Sequence, residues 1–185
     1  MKPYLLLPLA VALLAAGCKK DDTDPNGLPK ATQDGKNTAG FLVNGEPWLP
    51  KASAIGNNPY TVSAAYGPYA YRAHRLSMSM FRYQNVNSSQ ELLLYLAGVR
   101  HPGTYQLKEE IDPFVISGPS PSHGYYRIIS GARDFYTGPK ANGQVTITRL
   151  DTVARIVAGT FEAKLKEDGG PDSLNITQGR FDIKF

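Results

Sequence analysis

The chain has 185 residues, 42% of them hydrophobic and 19% charged, with a formal net charge of +4. Acidic and basic residues are interspersed without a basic stripe, which argues against a nucleic-acid partner. A single cysteine excludes an intramolecular disulfide framework.

The N-terminus is patterned for export. Lys2 gives a positive start, and Leu5 to Ala16 form an apolar run interrupted only by Pro8. That run suits a signal-peptide core and falls short of the ~20 apolar residues of a membrane-spanning helix. Small residues follow, and Ala15-Ala16-Gly17-Cys18 resembles the lipobox of bacterial lipoproteins, with Leu14 one place further out than the usual Leu. The expectation is that residues 1–17 are removed and that Cys18 is acylated. Two or more acyl chains then hold the protein to a membrane without spanning it. Loss of Lys2 leaves the mature chain at +3. The competing reading is an ordinary secretory signal with an incidental cysteine. Lys19-Lys20-Asp21-Asp22-Thr23-Asp24 is similar to the charged segments that send Bacteroidota lipoproteins to the cell surface; a periplasm-facing location in the outer membrane is the alternative.

Residues 18–38, rich in Pro, Gly, Asn and charge, read as the lipidated cysteine and a flexible tether. Residues 39–185 read as a single domain, long enough for a hydrophobic core. Its elements are short and β-prone. Phe41 to Leu49 carries Asn44-Gly45, the pair a two-residue type I′ hairpin turn requires. Tyr60 to Tyr66 and Tyr69 to Ala73 are short runs split by Gly67-Pro68. Arg75 to Tyr83 places Leu76, Met78 and Met80 on one face. Glu91 to Leu96 is apolar enough for a strand buried on both faces. Gly103 to Leu107 follows, then an edge strand at Pro113 to Ser117, a loop over Gly118 to Ser122, and strands at Tyr125 to Ile129 and Arg133 to Thr137. Gly143 to Leu150 alternates, Ala154 to Leu165 is a long strand, and Leu174 to Phe185 returns after the turn Glu167 to Asp172. Between Ile176 and Phe181 the apolar phase changes, and Gly179 marks a bulge there. No segment has sustained helical periodicity. Around ten short strands give an all-β domain, an antiparallel β-sandwich with a small barrel as the alternative.

Val145-x-Ile147-Thr148-Arg149-Leu150-Asp151, Ile156 to Glu162, and Ile176-Thr177-x-Gly179-Arg180-Phe181-Asp182-Ile183-Lys184 are similar to a family of uncharacterised Bacteroidota lipoproteins. Ala31-Thr32-x-x-Gly35-Lys36-Asn37-Thr38 and Phe41-x-Val43-Asn44-Gly45-x-x-Trp48 resemble the opening of the same family. The resemblance implies an all-β domain at the surface or in the periplasm. It supplies no activity and no functional residues.

Chemistry-bearing residues are sparse. His74, His101 and His123 lie apart and form no metal-ligand spacing. No Gly-x-Ser-x-Gly elbow is present. Glu109, Glu110 and Asp112 read as a solvated turn. No cofactor is called for. The tyrosines are the most suggestive feature: Tyr60, Tyr66, Tyr69 and Tyr71 crowd one segment, and Tyr125 and Tyr126 another. Exposed, they suit contact with a glycan or an envelope protein; packed inward, they are strand formers. Trp48 reads as a core anchor, with a ligand platform as the rival. Asp151-Thr152-Val153 and Asp172-Ser173-Leu174 resemble Bacteroidota O-glycosylation sites, with Thr152 and Ser173 as acceptors. The expected protein is a lipid-anchored, non-enzymatic binding or structural module. The alternatives are an extracellular carbohydrate-active hydrolase and a barrel holding a small apolar ligand.

Overall fold

The computed structural model describes residues 23–53, 61–68, 74–85, 88–112 and 120–185. Among them every named element is a strand: β1 (Thr38–Val43), β2 (Glu46–Trp48), β3 (Val62–Pro68), β4 (His74–Arg82), β5 (Gln90–Ala97), β6 (Gly103–Leu107), β7 (His123–Ile128), β8 (Arg133–Tyr136), β9 (Gly143–Asp151), β10 (Ile156–Glu167) and β11 (Ser173–Lys184). The strands pair antiparallel in one curled sheet that forms a half-barrel. The expected signal peptide and Cys18 lie outside the described residues, as do Tyr60, Tyr69, Tyr71 and the edge strand expected at Pro113 to Ser117.

β10 makes the curl. One of its edges carries β11; the other pairs with β9 over Ile156 to Ala163 and then with β8 at Lys166 and Glu167. The sheet therefore forks into two arms. One arm runs β6-β9-β10-β11-β1-β2 and the other β8-β7-β5-β4-β3. Beyond β2, Lys51 bridges to Arg82 on β4, with Lys51 N donating to Phe81 O at 3.1 Å and Tyr83 N donating to Lys51 O at 2.8 Å.

The space between the arms is filled. Phe41 stacks on Trp48 at 4.4 Å, and Phe161 meets Phe41 edge-on at 5.5 Å. From the other arm Leu76, Met78, Met80, Leu92, Leu94 and Leu96 point inward, all fully buried. Each such side chain contributes roughly 1.5–3 kcal/mol of burial.

Several expectations hold at residue level. Asn44 and Gly45 take φ of 51° and 89° in the β1–β2 turn. The register slips opposite Phe161, where Gln178 has φ 53°, so Ile176 and Phe181 both reach the core despite their odd spacing. Gly179 is required there, because a Cβ would lie 2.6 Å from the Phe161 ring and carbonyl oxygen.

Others are corrected. β3 runs through Gly67 and ends at Pro68, which pairs with His74; Tyr69 to Ala73 lies outside the described residues. β5 is buried on one face only, since Leu93 and Tyr95 are half-buried. Part of the segment expected to be a flexible tether is docked. From Thr23 onward it runs against β11: Leu28 is fully buried, Asp24 pairs with Arg180 at 2.8 Å, and Asn26 Nδ2 donates to Gln178 Oε1 at 2.9 Å. Polar composition concealed this because the segment is held mainly by hydrogen bonds, few of which an apolar pattern would reveal.

Candidate functional site

The tyrosines do not build the expected surface among the described residues. Tyr126 is 2% exposed; its hydroxyl donates to Gln90 Oε1 at 3.0 Å and its ring meets Phe135 edge-on. Tyr125 is 1% exposed, with its hydroxyl on Asp134 Oδ1 at 2.8 Å and its ring against Tyr136. Arg127 holds the same carboxylate at 2.7 and 3.0 Å. The Arg127 hydrogen bonds keep Asp134 below the usual carboxylate range, while burial and then Asp134 push the Tyr125 phenol up. Tyr66 is half-buried, packs near Phe185 and donates to Val99 O at 3.2 Å. Tyr125 and Tyr126, read from sequence as contact residues, are thus packing residues. Trp48, 2% exposed, is the core anchor.

The histidines are dispersed. His123 is buried beside Ser120, with Nδ1 at 3.2 Å from Ser120 Oγ and at 2.8 Å from Pro121 O. The carbonyl accepts, so Nδ1 must carry the proton and cannot take one from Ser120. Burial pushes the His123 pKa down, and its Nε2 has no partner. His74 is half-buried near Tyr66, and His101 is exposed. Among the described residues no group of three His, Cys, Asp or Glu side chains is placed to hold a metal.

A groove of about 550 Å³ at the β10–β11 turn is lined by Glu110, Tyr136, Lys140, Lys166, Glu167 and Asp168. Glu167 is paired with Arg133 at 2.5 Å, and that bond holds its carboxyl below the usual range. A glycosidase acid needs the opposite shift.

The outer face of β6-β9-β10-β11 offers a different chemistry. Alternation sends Val145 and Ile147 inward, so Gln144 and Thr146 face out. Register then lays Gln106 beside Gln144 beside Glu162, and Thr104 beside Thr146 beside Thr160. Gln106 Nε2 donates to Gln144 Oε1 at 3.4 Å, and Gln144 Nε2 donates to Glu162 Oε1 at 2.7 Å. Thr104 and Thr146 share a hydrogen bond at 3.0 Å. Two shallow depressions of about 460 and 400 Å³ meet at Gln144 and Glu162; the larger extends to Asn142, Lys164, Asn175 and Thr177. The alternating polar positions were visible in the sequence, but they look like any solvated face until the register joins them.

Thr152 and Ser173 are exposed, Thr152 in the β9–β10 turn and Ser173 at the start of β11. No helix among the described residues is long and apolar enough to cross a membrane. No protein family, curated protein or solved structure matches this chain. What fold and site define is an antiparallel β half-barrel with a filled interior and an open, amide-lined groove on one arm.

Proposed function

We propose that this chain is an outer-membrane lipoprotein, anchored through acylated Cys18, whose β domain is a non-enzymatic binding module for a neutral glycan. The carrying observation is the linked row Gln106, Gln144, Glu162 in the groove on β6, β9 and β10. Side-chain amides present donors and acceptors together, and a carboxylate accepts from two hydroxyls at once. That set matches the vicinal hydroxyls of a sugar. The lining of the larger depression contains no aromatic side chain, whereas protein interfaces are enriched in aromatics. An open groove also admits the interior of a polymer and not only its end. Without a stacking ring, the affinity expected for a single short oligosaccharide is weak, about 0.1–1 mM.

Titration of the purified protein with neutral oligosaccharides on an array is expected to select one linkage class. Glu162→Ala should weaken that binding at least tenfold with an unchanged melting temperature, because Glu162 is exposed. Absence of binding to every neutral oligosaccharide would refute the glycan reading.

Exposure of Thr152 and Ser173 supports O-glycosylation at both. The intact mass of native protein is expected to exceed that of the acylated chain lacking residues 1–17 by whole sugar residues, and Thr152→Ala together with Ser173→Ala should remove that excess and leave the acyl mass.

A further inference from the structure

We infer that the flank of the domain formed by Pro29, Leu49 and Pro50 is a membrane-contacting face that rests on anionic lipid headgroups. The inference depends on acylation of Cys18, and it goes beyond that reading by stating how the domain is oriented.

The docked N-terminal segment sets the geometry. Thr23 bridges to Pro29, and the Asp24 carboxylate accepts from Asn26 N at 2.9 Å and Leu28 N at 3.0 Å, closing a tight turn. The Asp24–Arg180 pair and buried Leu28 fix that turn to the body. Gly40 on β1 makes room for it: a Cβ there would lie 2.7 Å from Pro29 Cδ and 2.9 Å from Leu49 Cδ2. The point at which the chain leaves the domain is therefore defined. Between Cys18 and Thr23 a fully extended chain reaches at most ~18 Å. Thr23 therefore stands within ~18 Å of the anchored residue, which brings the flank holding it close to the bilayer.

The surface there has the matching chemistry. Thr23 lines a groove of about 250 Å³ together with Pro29, Ala39, Leu49, Pro50 and Val62. Leu49 is 40% exposed, one of three exposed large apolar side chains among the described residues. Lys30 and Lys51 are exposed and follow Pro29 and Pro50 in the chain. Apolar side chains beside lysines suit the headgroup region of an anionic bilayer. Because the anchor keeps the local lipid concentration high, a weak intrinsic affinity is sufficient.

The test uses the full-length acylated protein in vesicles of phosphatidylethanolamine and phosphatidylglycerol. Acylation consumes the Cys18 thiol, so Leu49→Cys supplies the single thiol for an environment-sensitive fluorophore. Lys166→Cys, an exposed position beside the β10–β11 turn, is the control. Headgroup spin-labelled lipid is expected to quench the label at 49 at least threefold more than the label at 166. Lys30→Glu with Lys51→Glu should abolish the difference. Equal quenching at both sites, or quenching at 49 that ignores the charge reversal, would overturn the face. So would burial of the label at 49 in detergent without lipid in a concentration-dependent way, which would assign the flank to a second copy. If intact mass shows Cys18 unmodified, the lipoprotein reading has failed. Cys18 acylated together with equal quenching at 49 and 166 overturns the face alone, so the two failures are distinguishable.

Discussion

Replacing Asp182 by alanine is expected to lower the unfolding free energy by about 3 kcal/mol, and to expose residues 23–37 to proteolysis. Asp182 is 1% exposed and gathers residues 32–36 of the docked N-terminal segment around one carboxylate. Its carboxylate accepts from Thr32 Oγ1 at 2.5 Å and from the backbone N–H groups of Asp34, Gly35 and Lys36 at 3.0, 2.7 and 3.3 Å. Bonds to an ionised acceptor are the stronger kind, and their loss leaves donors without a partner. Asp182→Asn should lose nearly as much, because its amide nitrogen would face N–H donors. Urea denaturation measures the first effect, and cleavage after Lys30 or Lys36 by trypsin measures the second. Unchanged stability with an intact N-terminus would show that Leu28 and the Asp24–Arg180 pair are sufficient to hold the segment.

The same carboxylate gives a pH dependence of defined sign. Burial alone would raise the pKa of Asp182, but the Thr32 hydroxyl and the three N–H groups outweigh it and hold the pKa below the ordinary value. The unfolded chain therefore takes up the proton first. Stability from this group is present above about pH 4, the range of an unfolded aspartate, and is lost as pH falls through the folded pKa. Asp134, Asp151 and Glu167 are lowered as well, so they share the sign. The urea midpoint of the native protein should fall below pH 4, and that of Asp182→Ala should fall less.

Asp182 also illustrates what the sequence discloses and what it hides. The run Arg180-Phe181-Asp182-Ile183 alternates, so Phe181 and Ile183 are legible as core and Asp182 as facing out. The outward position is correct, yet Asp182 is buried because residues 32–36 cover it, and period-two alternation carries no information about a cover that distant in the chain. Tyr125 fails for the same reason. It faces away from the main core, and burial on that second face comes from Tyr136 and its neighbours. By contrast, the Asn44-Gly45 turn and the bulge near Gly179 are local, and local backbone demands are written directly in residue choice. The groove on β6, β9 and β10 is intermediate. Each of its polar residues was predictable as outward-facing, but Gln106, Gln144 and Glu162 come from three separate strands. Only the observed register sets them in one row.

Trp48→Ala is expected to cost about 3–5 kcal/mol, the usual range for deleting a buried large aromatic. The indole stacks on Phe41 with an interplanar angle of 20°, and its Nε1 donates to Gln90 Oε1 at 2.7 Å. Gln90 lies on the opposite arm and also accepts the Tyr126 hydroxyl. One amide thus joins β2, β5 and β7 across the half-barrel. Trp48→Phe keeps the stacking surface and removes only the hydrogen bond, so it should cost about 1 kcal/mol plus a modest cavity term. Gln90→Ala should cost more than Trp48→Phe, because it strands two buried donors in place of removing one. A double-mutant cycle on Trp48→Phe and Gln90→Ala, read by urea denaturation, isolates the cross-arm bond. A coupling of zero would mean that the arms are held by apolar contact alone. A coupling near 1 kcal/mol would mean that the pairing of the arms is also specified by a directional bond, which apolar burial by itself cannot provide.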